Sequence, residues 1–305
     1  MKRMLLLIPA FALAAAGCKK DEPATPVTPT PQSHNYTIRE QLQAYEPTVQ
    51  TFTIDAAAGG TITGSKGGKY TFLANSFVNP VGQQVTGNVT IELKEVYSPL
   101  DMMMTGVFPM SQYGPLYSGG EYHIDVKQGN TPLHLANGVT FGARIPSSNL
   151  QQGMMVFDAI EANDTVTWVP ADSTNTMAFA NVQLGEYDLQ CDSIHWGNCD
   201  QFAITGTWTN NQLSLIAPTA LTDVKVYVYY NGHNSIFNVW GSGMTYSNYE
   251  CWINLPVTYI AVGTDASGTL YSCFLPVTVA ANGAYTMTMT STTATAFAAS
   301  MNALN

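Results

Sequence analysis

Glu121-Tyr-His-Ile-Asp-Val-Lys127 is the stretch that decides the fold. Polar and apolar side chains alternate along it, and because successive side chains of a β-strand point to opposite faces, the alternation predicts a strand. The apolar face, which we expect to lie against a core, consists of Tyr122, Ile124 and Val126. The polar face consists of Glu121, His123 and Asp125. We interpret it as the solvent-facing side of an edge strand; the alternative is a cation site or an acid–base site.

Similar strand-like runs surround this stretch. On the N-terminal side and just beyond it they occupy residues 50–55, 61–63, 69–73, 85–96 and 139–145. Glycines and Asn79-Pro80 separate these runs, and short strands with regular turn signals are typical of a β-sandwich. Shorter runs follow in residues 150–190. A second strand-rich region occupies residues 213–216, 223–230, 235–240, 257–262, 269–279 and 284–289.

Two helices frame the strands. Residues 37–46 contain Thr37 as a cap with Glu40 three positions on, and Pro47 ends the helix. Residues 292–304 are rich in Ala and predict a short terminal helix. The predicted fold class is therefore all-β, with two β-sandwich-like domains, a short N-terminal helix and a short C-terminal helix.

Composition narrows the classes of function. Only 10% of the 305 residues are charged. The net charge of −10 arises entirely from the residues after Arg144, which include one Lys and eleven acidic residues. Such a surface repels phosphate backbones, so we expect no nucleic-acid partner. Residues 1–305 contain no Gly-x-Ser-x-Gly, His-Glu-x-x-His or P-loop motif. We therefore expect no enzymatic activity, no cofactor and no resident metal.

The N-terminus has the features of an export signal. Lys2 and Arg3 precede an apolar run too short to span a membrane, and the run ends in Ala15-Ala16-Gly17-Cys18. This ending resembles the lipobox of bacterial lipoproteins, which implies lipidation of Cys18 and anchoring to the membrane through the lipid. The following Lys-Lys-Asp-Glu resembles the export tag of surface lipoproteins in some Gram-negative lineages. We expect a protein of the outer membrane, exposed at the cell surface.

Residues 60–95 resemble a known family. Gly60-Thr-Ile-Thr-Gly64, the Ala74-Asn-Ser-Phe77 turn and the long strand that ends in Glu95 are similar to a ZU5-type β-sandwich, in the version found in bacterial lipoproteins of unknown function. The resemblance covers about a third of the chain and implies a fold, followed by a Met-rich loop at residues 100–104. Some ZU5 proteins cleave themselves at His-Phe-Ser, a triplet that is absent here; the nearest triplet is His233-Asn-Ser235.

The domain boundaries follow from these features. We expect a signal peptide at 1–17, a Pro/Thr-rich tether at 18–36 and the helix with the ZU5-like sandwich at 37–148. Residues 149–212 form a β-rich middle segment, whose Trp196-Gly-Asn-Cys-Asp-Gln-Phe202 element we interpret as a junction between domains. Residues 213–305 form the C-terminal sandwich with its helix.

Four cysteines follow the lipidation site. An exported chain meets an oxidising compartment, so their even number predicts two disulfides. The pairs we favour are Cys191–Cys199 and Cys251–Cys273. The alternative is a zinc site built on Cys191, His195 and Cys199.

The C-terminal half also contains a candidate ligand surface. All five Trp fall there, and residues 229–249 mix aromatic side chains with Asn and Ser. Aromatic faces beside hydroxyl and amide groups suit sugars, which offer apolar C–H faces and hydroxyl edges; the alternative is a sandwich core with a polar hairpin. The candidate ligand-binding residues are Tyr230, Asn231, Trp240, Tyr246 and Tyr249. The function we expect is a lipid-anchored, non-enzymatic structural or binding module with a glycan or an envelope protein as partner. The alternatives are a glycan-binding lipoprotein beside a polysaccharide uptake system and, last, a hydrolase without a recognisable motif.

Overall fold

The computed structural model describes residues 35–163, 165–172, 174–203 and 206–304, apart from the side chain of Glu250. Strands dominate this part of the chain, which confirms the all-β class. The predicted signal peptide, Cys18 and the predicted tether as far as residue 34 lie outside the described residues. Among the described residues, no helix combines the length and the apolar character needed to cross a bilayer.

The first half of the folded chain contains fifteen described strands. They are β1 (Gln50–Asp55), β2 (Gly60–Thr63), β3 (Lys69–Phe72), β4 (Phe77–Val78), β5 (Asn88–Val96), β6 (Met110–Ser111), β7 (Gly114–Gln128), β8 (Thr131–Pro132), β9 (His134–Leu135), β10 (Phe141–Pro146), β11 (Met155–Ala162), β12 (Thr165–Pro170), β13 (Met177–Asn181), β14 (Glu186–Cys191) and β15 (His195–Phe202). The first sheet has the order β1-β5-β7-β15-β11-β12-β6, and the second has the order β13-β14-β10-β3-β2. Strands β4 and β9 form a separate pair.

The two sheets enclose one hydrophobic core, as a sandwich requires. Tyr122, Ile124 and Val126 lie in this core, against residues such as Phe72 and Phe141 of the second sheet. The prediction for the apolar face of residues 121–127 is therefore confirmed. The core gains aromatic contacts because the rings of Phe72 and Phe141 stack with centroids 5.2 Å apart.

The expectation of an edge strand is wrong. Strand β7 lies between β5 and β15, and its start also pairs with β6, so the path β7-β15-β11-β12-β6 closes on itself. Glu121 sits at this closed end and is fully buried rather than solvent-facing. His123 and Asp125 lie further along β7, where the polar face is partly open.

The interpretation of residues 196–202 as a junction is also corrected. They belong to β15, which pairs with β7 on one side and β11 on the other inside the first sheet. The middle segment thus supplies strands to both sheets of the first sandwich. The second sandwich begins at Trp208 instead of residue 213.

The second sandwich contains nine described strands. They are β16 (Trp208–Ile216), β17 (Leu221–Tyr230), β18 (Ser235–Asn238), β19 (Trp240–Ser242), β20 (Thr245–Trp252), β21 (Pro256–Asp265), β22 (Leu270–Thr278), β23 (Ala284–Thr288) and β24 (Thr290–Thr292). The third sheet has the order β19-β20-β16-β23, and the fourth has the order β18-β17-β21-β22-β24. Leu213, Tyr259 and Met287 are among the buried residues that fill the core between them.

Three short helices cover the outer face of the fourth sheet. They are α1 (Ile38–Leu42, continued by a 3₁₀ turn Gln43–Tyr45), α2 (Pro99–Thr105) and α3 (Ala294–Asn302). Leu42, Met102 and Phe297 bury their side chains here against residues such as Ile260 of β21. The sandwich consequently has helices on one outer face and leaves the outer face of the third sheet uncovered by them.

The helix ends follow local capping rules. Thr37 and Glu40 form the expected capping box at α1, and Thr293 caps α3. The predicted Met-rich loop is wrong, because Ser98 and Asp101 form a second capping box and start α2 there. Its three methionines are buried apolar filler, a role that an unbranched thioether fits well.

Candidate functional site

The outer face of the third sheet exposes two large aromatic side chains. Trp240 on the edge strand β19 is 74% exposed, and Tyr249 on the adjacent strand β20 is 58% exposed. Trp240 pairs with Ser247, and Tyr249 lies two residues further along β20, so the two rings share one face of the sheet. Together they offer two flat apolar surfaces to solvent.

Strand alternation supplies the polar groups of the same face. On β16, Leu213 and Leu215 point into the core while Gln212 and Ser214 point outward. Gln212 pairs with Ser247, whose hydroxyl donates a hydrogen bond to the Gln212 side-chain oxygen at 3.0 Å. Amide and hydroxyl groups therefore lie beside the aromatic rings.

A glycine-bearing hairpin fixes the position of Trp240. A Cβ atom at Gly241 would lie 2.4 Å from the carbonyl oxygen of Thr245, so only glycine fits beside β20. Gly243 has φ +60° in the connecting turn, a left-handed conformation that glycine adopts at little cost. The edge strand can thus run close to β20 and hold the indole over the open face.

The outer face of the third sheet carries few charged residues. The sequences of its four strands contain one charged residue, Glu250, whose side chain lies outside the described part of the chain. The side chains that the structure does place on the face are hydroxyl, amide, aromatic or aliphatic groups. Such a surface can stack and hydrogen-bond a neutral ligand, and the described side chains offer it no general acid or base.

The five predicted ligand residues separate into two groups. Trp240 and Tyr249 lie on the open face, as a ligand site needs. Tyr230 is buried in the core, 4.9 Å from Phe237 between ring centroids. Tyr246 is also buried, and its hydroxyl donates to the backbone carbonyl of Val224. Both are therefore core residues.

Asn231 belongs to the structural group as well. It lies just beyond β17, at the start of the turn that leads into β18, and is half-buried. Its side-chain oxygen accepts a hydrogen bond from the Thr258 hydroxyl at 2.9 Å. The polar residues that do lie beside the exposed rings are Gln212 and Ser247, which the sequence pattern alone did not single out.

A second aromatic surface was missed by sequence reasoning. A groove of about 470 Å³ is lined by Tyr113, Pro115, Pro170, Phe202, Ala203, Trp208 and Trp252. Trp208 and Trp252 are 5.0 Å apart between ring centroids. Its lining brings together residues nearly 140 positions apart, so no local signal marks it. Since every lining residue is apolar or aromatic, it matches the hydroxyl edges of a sugar less well than the third sheet does.

The four cysteines that follow Cys18 are free thiols in the structure. Neither predicted pair is bonded, although Cys191 and Cys199 share the core of the first sandwich, and Cys251 and Cys273 that of the second. Burial raises the pKa of the Cys191 thiol to about 12. That thiol stays protonated at neutral pH, which makes it unreactive.

The alternative zinc site on the cysteines does not assemble. Cys191 and Cys199 lie in the core, and the Tyr122 hydroxyl donates to the Cys191 sulfur at 3.1 Å. The His195 side chain instead lies 3.2 Å from Asp125, between its Nδ1 and a carboxylate oxygen. His195 therefore belongs to a different cluster of side chains.

A pair of carboxyl groups is buried inside the first sandwich. Glu121 and Asp200 are both fully buried. Burial raises the pKa of Glu121 well above its usual range, and the nearby charge of Asp200 raises it further. Burial likewise raises the pKa of Asp200, although Asn198 donates to its carboxylate at 2.7 Å. Both groups favour the protonated form in the folded protein.

Comparisons with known proteins identify no family for this chain. No protein-family model matches the chain, and no curated protein matches it. One solved structure aligns, a gamma-CGTase from alkalophilic Bacillus clarkii, with 10% identity over 77% of this chain. The chain spans 40% of that protein's length, and the TM-score of 0.21 is too low to carry an argument about fold or function.

Proposed function

We propose that this protein is a lipid-anchored protein of the cell envelope that binds a neutral glycan on the outer face of its third sheet, without catalysis. The observation that carries the proposal is the exposure of Trp240, at 74%, beside the exposed ring of Tyr249. A sugar ring stacks its C–H face on such rings. The amide of Gln212 and the hydroxyl of Ser247 can then bind its hydroxyl edges.

The position of this face in the fold supports the proposal. The helices α1, α2 and α3 cover the opposite sheet of the same sandwich, so the face with Trp240 is free of them. An indole on an edge strand adds little to the core, and exposed aromatic clusters are typical of binding surfaces. The lack of basic residues on the four strands favours a neutral ligand over a phosphate or an acidic polymer.

Affinity electrophoresis in gels that contain neutral polysaccharides, followed by a glycan array, tests the ligand. We expect Trp240→Ala and Tyr249→Ala each to weaken retention at least tenfold, equivalent to about 1.4 kcal/mol. The matched control is Tyr113→Ala, which removes another exposed aromatic ring, 69% exposed, from the first sandwich. Circular dichroism checks that all three variants fold.

The proposal fails if the parent protein binds no neutral glycan, or if Tyr113→Ala weakens retention as much as Trp240→Ala. The Tyr246→Ala variant tests stability and not ligand contact, because the Tyr246 side chain is buried. Tyr246→Ala should lower the melting temperature, and its effect on glycan retention should follow the fraction of folded protein.

The membrane anchor rests on residues outside the described part of the chain. We propose lipidation at Cys18 and location on the outer face of the outer membrane, supported by the ordered signal features at residues 2–18. Cys18→Ala should move the protein from the membrane to the soluble fraction and abolish labelling by an alkyne fatty acid. Protease treatment of intact cells should degrade the wild-type protein. Membrane attachment that persists in Cys18→Ala would contradict the anchor.

A further inference from the structure

Three side chains that can bind metal meet on the open part of the first sheet. His123 and Asp125 come from β7, and His195 is the first residue of β15. Their nearest nitrogen and oxygen atoms all lie within 4.8 Å of one another. One Asp125 oxygen is 3.2 Å from Nδ1 of His195, and the other is 3.9 Å from Nδ1 of His123. The carboxylate thus lies between two imidazoles.

An unusual backbone conformation brings His195 to this cluster. His195 pairs with Ile124, and directly paired residues of a regular ladder share a face, which here is the core face. However, His195 has φ +92°, outside the usual region for a residue with a side chain. The imidazole consequently lies on the side of Asp125. Residues held in conformations of this kind cluster at functional sites.

The donor set matches a borderline transition ion. Two imidazoles and one carboxylate are common ligands of zinc and of neighbouring transition metals. In a tetrahedral zinc site, bonds of about 2.0–2.1 Å place the ligand atoms roughly 3.3 Å apart. The 3.2 Å distance between Asp125 and His195 already matches this spacing, whereas the 3.9 Å distance between Asp125 and His123 is wider. Rotation of an imidazole about its side-chain bonds can close the wider gap.

The surroundings leave the cluster accessible. The side chains of His123, Asp125 and His195 are 25%, 33% and 48% exposed, so an ion can enter from solvent without unfolding the sheet. The Trp196 ring covers one side of His123, with ring centroids 4.9 Å apart. Three protein ligands leave one coordination position open for water or for an exogenous ligand.

We propose that His123, Asp125 and His195 form a binding site for a divalent transition-metal ion, for which Zn²⁺ is the representative. The site lies on the first sandwich and is independent of the aromatic face of the third sheet, so either proposal can hold without the other. It keeps His123 and Asp125 of the cation site considered for residues 121–125, with His195 in place of the buried Glu121. It differs from the zinc site considered on Cys191, His195 and Cys199, because it has no cysteine ligand.

Calorimetric titration of the full-length protein with ZnCl₂ tests the site, using chelator-treated protein that carries no polyhistidine tag. We expect one equivalent to bind, and His123→Ala and His195→Ala each to weaken binding at least tenfold. Asp125→Asn, which keeps the shape of the side chain, should weaken it as well. The matched control is His134→Ala, because His134 is an exposed histidine elsewhere in the same sandwich. It should bind like the wild type.

Two further measurements distinguish zinc bound at this site from zinc bound by the cysteines or by scattered surface groups. Zinc should raise the melting temperature of the wild type but not that of His195→Ala, whose metal-free fold is checked by circular dichroism. Cobalt in place of zinc should give a spectrum without sulfur-to-cobalt charge transfer. The proposal is overturned if the double variant His123→Ala/His195→Ala binds zinc like the wild type, if His134→Ala loses binding equally, or if the cobalt spectrum shows thiolate ligands.

Discussion

Replacing Glu95 by Gln should destabilise the first sandwich strongly. Glu95 lies near the end of β5 and is 1% exposed. One carboxylate oxygen accepts the backbone N–H of Gly68 at 2.9 Å. The other accepts the backbone N–H of Lys66 at 2.9 Å and the side-chain amide of Gln50 at 3.0 Å. This carboxylate therefore organises the turn between β2 and β3.

The backbone of the turn holds these donors against the carboxylate. A Cβ atom at Gly64 would lie 2.3 Å from the Glu95 carboxylate, and one at Gly68 would lie 2.2 Å from the Tyr97 hydroxyl. The turn thus closes tightly around the carboxylate, which explains physically why two glycines lie beside a buried acid here. Glutamine keeps the shape but loses the charge and presents an NH₂ group to an N–H donor.

The magnitude follows from the three hydrogen bonds. Bonds to a charged group contribute about 1.5–3 kcal/mol each, and a buried donor without an acceptor costs about 1–3 kcal/mol. With one donor unsatisfied and two bonds weakened, we expect Glu95→Gln to lower the free energy of unfolding by about 3–4 kcal/mol. Urea denaturation at pH 7, followed by tryptophan fluorescence, measures this value.

Glu92→Gln is the control on the same strand. Glu92 pairs with Lys127 at 2.7 Å, but both side chains are about one-third exposed. Exposed ion pairs contribute about 0–1 kcal/mol, so this variant should stay close to the wild type. The reasoning is refuted if Glu95→Gln and Glu92→Gln differ by less than about 1 kcal/mol, within the range expected of an exposed pair.

Two further predictions concern buried titratable groups. Burial raises the pKa of Asp200 in the folded protein, so unfolding releases its proton once the pH exceeds the pKa of the unfolded state. The stability that Asp200 contributes should therefore fall by up to about 1.4 kcal/mol per pH unit as the pH rises toward the folded pKa. Asp200→Asn should flatten the fall of the unfolding free energy as the pH rises above the unfolded pKa of an aspartate. An unchanged slope relative to the wild type would contradict the burial argument. The second prediction concerns the cysteines: the sequence predicts two disulfides, whereas the structure contains free thiols. Titration of the thiols in denatured mature protein, prepared without reductant, distinguishes the two states. No reactive thiol would support both pairs, and four would support the thiol form at Cys191, Cys199, Cys251 and Cys273.

The local pattern of the sequence predicted a good part of the fold. Alternation at residues 121–127 placed Tyr122, Ile124 and Val126 in a core, because the two-residue period of a strand is a property of the backbone itself. The cap at Thr37 was also predictable, since a capping box involves residues only three positions apart. The Met-rich segment was predicted as a loop, although Ser98 and Asp101 carry the same kind of capping signal and start a helix there.

Alternation does not say which face of a strand is covered, and here the tertiary structure decided. Glu121 is buried because the first sheet closes on itself at that end, whereas Asp125, on the same face of β7, remains partly open. Trp240 pairs with Ser247 and faces outward, whereas Tyr246 pairs with Gly241 and points into the core, so the strand register places the two rings on opposite faces. The sequence of residues 229–249 could not separate these two rings.

The sequence by itself determined the all-β class and the aromatic composition of the C-terminal half, and it predicts an export signal. Only the tertiary structure selected Trp240 and Tyr249 as the exposed pair and brought His195 to within 3.2 Å of Asp125, seventy residues away. Local residue types fix backbone periodicity and caps, because those depend on neighbours in the chain. Exposure and convergence depend on strand pairing between distant segments, and in this protein that pairing produced both candidate sites.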